Sequence, residues 1–275
     1  MNLSIDTKVK LNNGIEMPVF GLGVYKADSG GEAEKAVKTA LKYGYRLIDT
    51  AAAYGNEEDV GKGIKDGGVP REEIFVTTKL WNDDQGYEET KNAFDKSLNK
   101  LGLEYVDLYL IHWPVSGKRL DSYKAMEKIL DSGKTKSIGV SNFTIRHLEE
   151  LIKETKVVPT VNQVEFHSFL YQKELLEYCK NNNIRLEAYS PIARAKKFDN
   201  PVIKELSRKY SKTPAQIMIR WILQHEVIAI PKSTHEKRIK ENADVFNFAL
   251  EDEDIEKIDG INESLRIAWD PSEIE

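Results

Sequence analysis

The chain has 275 residues and nearly balanced charges, with 40 Lys and Arg against 45 Asp and Glu and a formal net charge of −5. A chain of this length buries roughly three-quarters of the surface of its unfolded form, so it needs no disulfide or metal to fold. Cys179 is its only cysteine, which excludes an internal disulfide and favours a reducing compartment. The balanced charge argues against a basic nucleic-acid-binding surface.

The N-terminal segment and the apolar stretches of the chain predict neither a signal peptide nor a membrane span. The N-terminal segment MNLSIDTKVKLNNG lacks the apolar core of a signal peptide. The longest apolar stretch, residues 106–115, contains Asp107 and His112 and is far shorter than the roughly 20 residues of a membrane span. We therefore expect a cytoplasmic protein without membrane or nucleic-acid partners.

Short apolar runs recur along the whole chain, and no linker or low-complexity tract divides them. They are mostly β-branched or aromatic and too short for helices, which is typical of strands buried on both faces of a parallel sheet. There are eight, at residues 19–22, 46–48, 74–77, 108–111, 137–140, 160–164, 185–189 and 227–230.

Amphipathic helical patterns separate the runs, with apolar residues three and four positions apart, as in residues 33–41. Asp28 or Ser29, Asn142 or Thr144, and Thr213 before Pro214 are expected to cap helices or to lie in their first turns. The last two runs begin 42 residues apart, at 185 and 227, which leaves room for an additional helix within residues 201–210 before one at 214–224.

Eight strand–helix units predict a single α/β domain, residues 1–275, folded as a (β/α)8 TIM barrel with one or two extra helices. A doubly wound sheet is the alternative, but no G-x-G-x-x-G turn follows the first run. The alternating pattern around Asn12-Asn13-Gly14 predicts an N-terminal β-hairpin that closes the bottom of the barrel.

Polar residues lie at or directly after the ends of these runs. In a TIM barrel they converge on the C-terminal face, where such enzymes have their active sites. The residues concerned are Asp49, Lys79, His112, Ser141, Asn142, Gln163, Tyr189, Ser190, Lys232 and Ser233.

Two of these residues, Asp49 and Lys79, belong to neighbouring strands and would form an ion pair, either structural or catalytic. Tyr54 would lie beside the Lys79 ammonium, which lowers a tyrosine pKa from about 10 and favours a general acid. His112 would donate a hydrogen bond to a substrate oxygen. No metal site is expected, because His225-Glu226 and His235-Glu236 lack the second histidine of a zinc motif.

Three stretches resemble the aldo-keto reductase family, and the similarity extends over essentially the whole chain. They are GYRLIDTA at 44–51 with Glu57, KSIGVSNF at 136–143, and IPKS at 230–233 followed by Arg238, Glu241 and Asn242. The chain looks most like prokaryotic members that reduce small aldehydes and keto sugars.

The resemblance implies NADPH-dependent reduction of aldehydes and ketones, including α-dicarbonyls such as methylglyoxal. It implies a catalytic tetrad of Asp49, Tyr54, Lys79 and His112. It implies that the cofactor is held by Ser141, Asn142, Gln163, Tyr189, Ser190, Pro191, Ile192, Lys232, Ser233, Arg238, Glu241 and Asn242. Tyr25, Trp81 and Trp113 are expected to line the substrate pocket, with Tyr25 standing where many relatives carry Trp.

Two other functions remain as alternatives. An NADP(H)-binding regulatory subunit would bind the cofactor with little turnover. A lyase with Lys79 as a Schiff-base nucleophile would need that lysine uncharged, which Asp49 opposes. A monomer is expected. The short tail after Gly260 predicts an open pocket, and residues 194–197 add positive charge after the seventh run.

Overall fold

The fold is an eight-stranded parallel barrel, seen here in a computed structural model that describes residues 3–275. Consecutive strands are neighbours in the sheet, and hydrogen bonds from Gly21 N to the Ala229 oxygen (2.9 Å) and from Ala229 N to the Val19 oxygen (3.0 Å) join its two edges. The predicted (β/α)8 barrel is therefore confirmed. Its strands are β3 (Leu22–Gly23), β4 (Leu47–Asp49), β5 (Phe75–Leu80), β6 (Leu108–Ile111), β7 (Ile138–Ser141), β8 (Val161–Glu165), β9 (Arg185–Tyr189) and β10 (Ile228–Ala229).

Helices surround the barrel and alternate with its strands. They are α1 (Glu32–Lys42), α2 (Glu57–Lys65), α3 (Tyr87–Leu101), α4 (Arg119–Asp131), α5 (Ile145–Glu154), α6 (Lys173–Asn181), α7 (Pro201–Tyr210), α8 (Pro214–Gln224), α9 (Glu236–Ala243) and α10 (Asp252–Asp259). The additional helix expected in the long interval is α7, and α10 is a second helix beyond the eight strand–helix units. None of the helices in the described part of the chain is long and apolar enough to cross a membrane.

The N-terminal hairpin pairs β1 (Lys8–Lys10) with β2 (Glu16–Pro18), with Val9 opposite Met17. Leu11 and Met17 pack in one buried cluster with Leu47, Phe75 and Leu108, the first residues of three barrel strands. The hairpin therefore closes the N-terminal end of the barrel, as predicted. The opposite end is left for the polar residues.

The predicted helix caps are partly confirmed. Thr144 and Thr213 each form a capping box, with His147 and Gln216 respectively. The expectation that Asp28 or Ser29 caps α1 is wrong. The residue before α1 is Gly31, whose φ of 109° is left-handed, and its N–H is bound instead by Asp59 Oδ2 at 2.7 Å. Residues 1 and 2 of the predicted domain lie outside the described residues.

Candidate active site

The interior of the barrel changes from apolar to polar along each strand. Side chains two residues apart in a strand point to the same face. Leu47 and Val161 lie in the apolar cluster at the bottom, so Asp49 and Gln163, two residues further on, also face the interior. This periodicity places the polar groups in layers toward the C-terminal end.

Lys79 on β5 is the centre of the polar layer. Its ammonium donates to Asp49 Oδ1 at 2.7 Å, to the Thr50 carbonyl oxygen at 2.9 Å and to Tyr54 Oη at 3.2 Å. An ammonium has three donors, so all three are used. Lys79 is completely buried and Asp49 is 2% exposed.

The opposite charges of Asp49 and Lys79 stabilise each other. Burial opposes the charge on Lys79, but Asp49 and Tyr54 raise the pKa of Lys79 above its usual value. Burial raises the pKa of Asp49 as well, while hydrogen bonds from Lys79 and Gln163 to its two oxygens favour the carboxylate. A charged Lys79 is a poor Schiff-base nucleophile, which argues against the lyase alternative.

Tyr54 ends a 3-10 turn, Ala52–Tyr54, that follows β4. Its ring is half-buried, and burial of the hydroxyl raises its pKa to about 12, more than Lys79 lowers it. The prediction that Lys79 lowers the pKa of Tyr54 below 10 is therefore wrong. Because Tyr54 Oη accepts a hydrogen bond from Lys79, its own proton is free to point elsewhere.

His112 directly follows β6 and faces Tyr54, with ring centroids 5.7 Å apart. Burial, and secondarily the charge of Lys79, hold the pKa of His112 well below its usual value. The imidazole is therefore neutral near pH 7 and offers one N–H donor. Its Nδ1 is buried and has no hydrogen-bond partner among residues 3–275.

Gln163 connects Asp49 to a second buried carboxyl group, that of Glu187 on β9. Its Nε2 donates to Asp49 Oδ2 at 2.8 Å and to Glu187 Oε2 at 2.7 Å. Burial, reinforced by Asp49, raises the pKa of Glu187 to about 8. The sequence analysis missed Glu187, although a carboxylate inside a run predicted to be buried on both faces is itself a signal.

A second hydrogen-bonded group lies at the ends of β7 and β9. Asn142, with a left-handed φ of 63°, donates from Nδ2 to the His112 carbonyl oxygen at 2.9 Å and accepts at Oδ1 from Tyr189 Oη at 2.8 Å. Ser141 Oγ donates to the Gln163 carbonyl oxygen at 2.8 Å. The structure thus brings Ser141, Asn142, Gln163 and Tyr189 next to the tetrad.

The chain turns sharply after Tyr189. Ser190 has a left-handed φ of 50°, and residues 193, 194 and 195 are also left-handed, in a short 3-10 turn after Pro191 and Ile192. Arg194 and Lys196 are exposed, while Lys197 forms an ion pair with Glu263 at 2.6 Å. Of the basic segment, only Lys197 is tied to the rest of the protein by an ion pair within residues 3–275.

The remaining predicted cofactor residues form a separate group, in the segment between β10 and α9 and on α9 itself. Lys232 bridges to Gly23 on β3, which in turn lies opposite Asp49. Lys232 and Arg238 are exposed, and neither is within 4.0 Å of an acidic side chain in residues 3–275. Ser233 is buried at the start of this segment, Glu241 is half-buried and Asn242 is buried.

Aromatic side chains surround the Tyr54–His112 pair. Tyr25, 46% exposed, lies 5.1 Å from Tyr54 and Trp81 lies 5.3 Å from His112, both measured between ring centroids. Trp113 is nearly buried and packs 5.6 Å from Trp269, which is 69% exposed. The contact between Trp113 and Trp269 was not predicted from the sequence.

Glu165 holds the C-terminal tail so that Trp269 lies against Trp113. Its two oxygens accept hydrogen bonds from the backbone N–H groups of Ile267 (2.8 Å) and Ala268 (2.9 Å). The tail is short, and these hydrogen bonds hold it where Trp269 packs on Trp113. That the pocket is open stays a prediction. Only the fold brings residue 269 next to residue 113.

Comparisons with known proteins agree with this geometry. The model described as "Aldo/keto reductase family" matches residues 20–263. The chain is 54% identical to the glyoxal reductase of Bacillus subtilis (strain 168), with 100% of this chain and 99% of that protein covered. The chain therefore belongs to the aldo-keto reductase family, a family of oxidoreductases.

Solved structures of the family have the same fold. An aldo-keto reductase from a Medee basin deep-sea metagenome library is similar with a TM-score of 0.94 and 49% identity, over 98% of this chain and 100% of that one. The Bombyx mori aldo-keto reductase in complex with NADP has a TM-score of 0.91 and 36% identity, with 97% and 95% covered.

Proposed function

We propose that this protein reduces small aldehydes and ketones, including α-dicarbonyls such as methylglyoxal, to alcohols with NADPH. The observation that supports this most directly is the buried chain from Asp49 through Lys79 to Tyr54, beside a neutral His112. It combines a proton donor, a fixed charge that stabilises the donor's anion, and a hydrogen-bond donor for the substrate. The glyoxal reductase of Bacillus subtilis is a relative with a dicarbonyl substrate in its name.

The residues present fit the cofactor. Ser141, Asn142 and Gln163 are hydroxyl and amide groups suited to the uncharged nicotinamide carboxamide, and Tyr189 offers a flat ring for stacking. A Bombyx mori relative binds NADP. When bound, NADPH supplies the hydride that is added to the carbonyl carbon.

The phosphate groups of the cofactor also have partners of suitable chemistry. Lys232 and Arg238 are exposed cations that form no ion pair in the described residues, and with Ser233 they suit the 2′-phosphate. We assign Ser190, Pro191 and Ile192 to the pyrophosphate part of the cofactor, and Glu241 and Asn242 to the adenine.

The chain's own residues then carry out the proton transfer. His112 donates a hydrogen bond to the carbonyl oxygen and orients it. Tyr54 Oη gives its proton to that oxygen as negative charge develops there. The acceptor is an alkoxide whose conjugate acid is roughly as weak an acid as water, so a tyrosine with a pKa of about 12 is a strong enough acid.

Lys79 stabilises the tyrosinate that remains, because its ammonium is 3.2 Å from Tyr54 Oη. Asp49 keeps Lys79 charged and oriented, and solvent returns the proton to Tyr54. Tyr25, Trp81 and Trp113 provide aromatic walls for the substrate, and Trp269 adds a fourth aromatic side chain from the tail. Such walls favour small uncharged carbonyl compounds.

We further propose that residues 1–275 act as one domain, as a monomer in the cytoplasm. The closed barrel, the near-neutral charge and the single buried cysteine support this. The regulatory alternative is less favoured, because a subunit without turnover does not require four interacting catalytic side chains.

The test is NADPH oxidation by wild type and Tyr54→Phe against glyoxal, methylglyoxal, glyceraldehyde, nitrobenzaldehyde and keto sugars. Loss of general-acid catalysis lowers turnover by about 100- to 10,000-fold, while NADPH binding, measured by fluorescence, is retained. Tyr178→Phe, on α6 outside the barrel, is the matched control and keeps full activity. Turnover in Y54F equal to wild type refutes the mechanism, and binding without any turnover in wild type favours the regulatory subunit.

A further inference from the structure

Glu187 is a buried carboxyl group that the proposed reaction does not use. It is completely buried in the barrel interior on β9, one strand from Gln163. Its Oε2 accepts a hydrogen bond from Gln163 Nε2, whereas its Oε1 has no partner in the described chain. A buried oxygen without a hydrogen bond, such as Oε1, lowers the stability of the fold. We therefore look for the role of Glu187 in the hydrogen bond of its other oxygen, Oε2.

The two carboxyl groups together determine how the Gln163 amide is oriented. A primary amide has two N–H donors on its nitrogen and an acceptor oxygen. One N–H is directed to Glu187 Oε2 at 2.7 Å and the other to Asp49 Oδ2 at 2.8 Å. The reversed amide would place its oxygen against these two oxygens and lose both hydrogen bonds, so a single orientation is favoured.

The Oε1 of Gln163 is then the only polar atom of this amide that a ligand can use. No donor within residues 3–275 reaches it, and it is not among the buried atoms without a partner, so it retains accessible surface. An acceptor oxygen at this position can bind the NH2 group of a carboxamide but not its carbonyl oxygen.

We propose that Glu187 is a positioning residue that, together with Asp49, holds the Gln163 amide so that it presents only its oxygen to the carboxamide of the cofactor. This rests on the proposed function, because it takes NADP(H) as the ligand of Gln163. Glu187 needs only to accept a hydrogen bond for this task. Its pKa of about 8 agrees with that, since the carboxyl group is then mostly uncharged at neutral pH.

The test compares the binding of NADP+ with that of its 3-acetylpyridine analogue, in which a methyl group replaces the carboxamide NH2. Wild type binds the analogue roughly three- to tenfold more weakly, the equivalent of one hydrogen bond. Glu187→Leu removes one of the two hydrogen bonds that orient the Gln163 amide and leaves only the one to Asp49, so the preference is expected to fall by at least about twofold. Glu187→Gln keeps an acceptor of the same size and keeps the wild-type preference.

The ratio of two binding constants is insensitive to a general loss of stability, which affects both nucleotides alike. If E187L does not fold, Glu187→Ala is measured in its place. In a Gln163→Leu background, the substitution at Glu187 produces no further change in the ratio. A merely structural role would not show this dependence.

Three results would contradict the proposal. An unchanged preference in E187L with normal NADP+ binding overturns it and leaves the proposed function intact. A preference lost equally in E187Q overturns it too, because charge and not hydrogen bonding would then be decisive. A wild-type protein that binds neither nucleotide overturns the proposed function, and this inference with it.

Discussion

Substitutions in the buried Asp49–Lys79 pair are expected to change the free energy of unfolding and the activity of the protein in different ways. The two side chains are 2.7 Å apart and almost inaccessible to solvent. Lys79→Met leaves the Asp49 carboxylate buried without its cation, and Asp49→Asn leaves the Lys79 ammonium without its anion. Each single substitution is expected to lower the free energy of unfolding by about 3–5 kcal/mol, the usual cost of removing one partner of a buried pair.

The double variant D49N/K79M removes both charges and is expected to lose far less than the sum, about 3 kcal/mol or less, because no unpaired charge remains. All three variants lose activity by at least about 100-fold. K79M and the double variant lack the ammonium that contacts Tyr54 Oη at 3.2 Å, and D49N lacks the carboxylate that keeps this ammonium charged and oriented. The free energies come from urea unfolding followed by circular dichroism, and the activities from NADPH oxidation.

The result that refutes this reasoning is additivity. If the double variant loses as much stability as the two single variants together, the pair is not coupled through its charges. Single losses below about 1 kcal/mol would mean that water reaches the pair. A double variant with restored turnover would show that Tyr54 does not depend on Lys79.

The remaining predictions concern the tail, the phosphate site and the pH dependence of stability. Trp269→Ala removes an aromatic contact worth about 0.5–1.5 kcal/mol. KM for nitrobenzaldehyde is therefore expected to rise about two- to tenfold, while KM for glyoxal stays within twofold. Equal changes in KM for both substrates would contradict a role of Trp269 in the outer pocket. The double variant K232A/R238A is expected to bind NADPH at least about tenfold more weakly than wild type and to bind NADH equally well. The control Lys237→Ala, next to Arg238 on α9, changes the binding of neither nucleotide. Equal losses for both nucleotides in the double variant would exclude a 2′-phosphate site. Glu187 has a pKa of about 8 when folded and about 4.3 when unfolded. The native state therefore holds its proton more tightly, and stability relative to E187Q falls by about 1.4 kcal/mol per pH unit between about pH 5 and pH 8. If the difference in the free energy of unfolding in urea between wild type and E187Q does not change with pH, the Glu187 carboxyl group is not desolvated in the native state.

Asp49, Lys79 and His112 were recognisable because each lies at or just after the end of an apolar run, and strand ends meet at one face of a barrel. Glu187 lies inside its run, and Trp269 lies in the C-terminal tail, far from Trp113 in the sequence. A carboxylate inside a buried run is a signal that could have identified Glu187, whereas no local pattern of the sequence indicates where Trp269 lies.

The pKa of Tyr54 shows a further limit of reasoning from the sequence. The neighbour that lowers this pKa, Lys79, follows from strand order. The larger opposing effect is desolvation of the hydroxyl, which raises the pKa to about 12. Desolvation depends on how all surrounding elements pack, and adjacency in a motif does not report it.

The amino-acid sequence by itself determined the eight strand–helix units, the hairpin at the bottom of the barrel and the family, because periodicity and short motifs are local properties of a chain. The tertiary structure alone decided that Gln163 bridges Asp49 and Glu187, that Glu165 holds the tail, and that Trp269 packs on Trp113. These contacts join residues from different strands and from the far end of the chain. Their distances are set by closure of the barrel and not by spacing along the sequence.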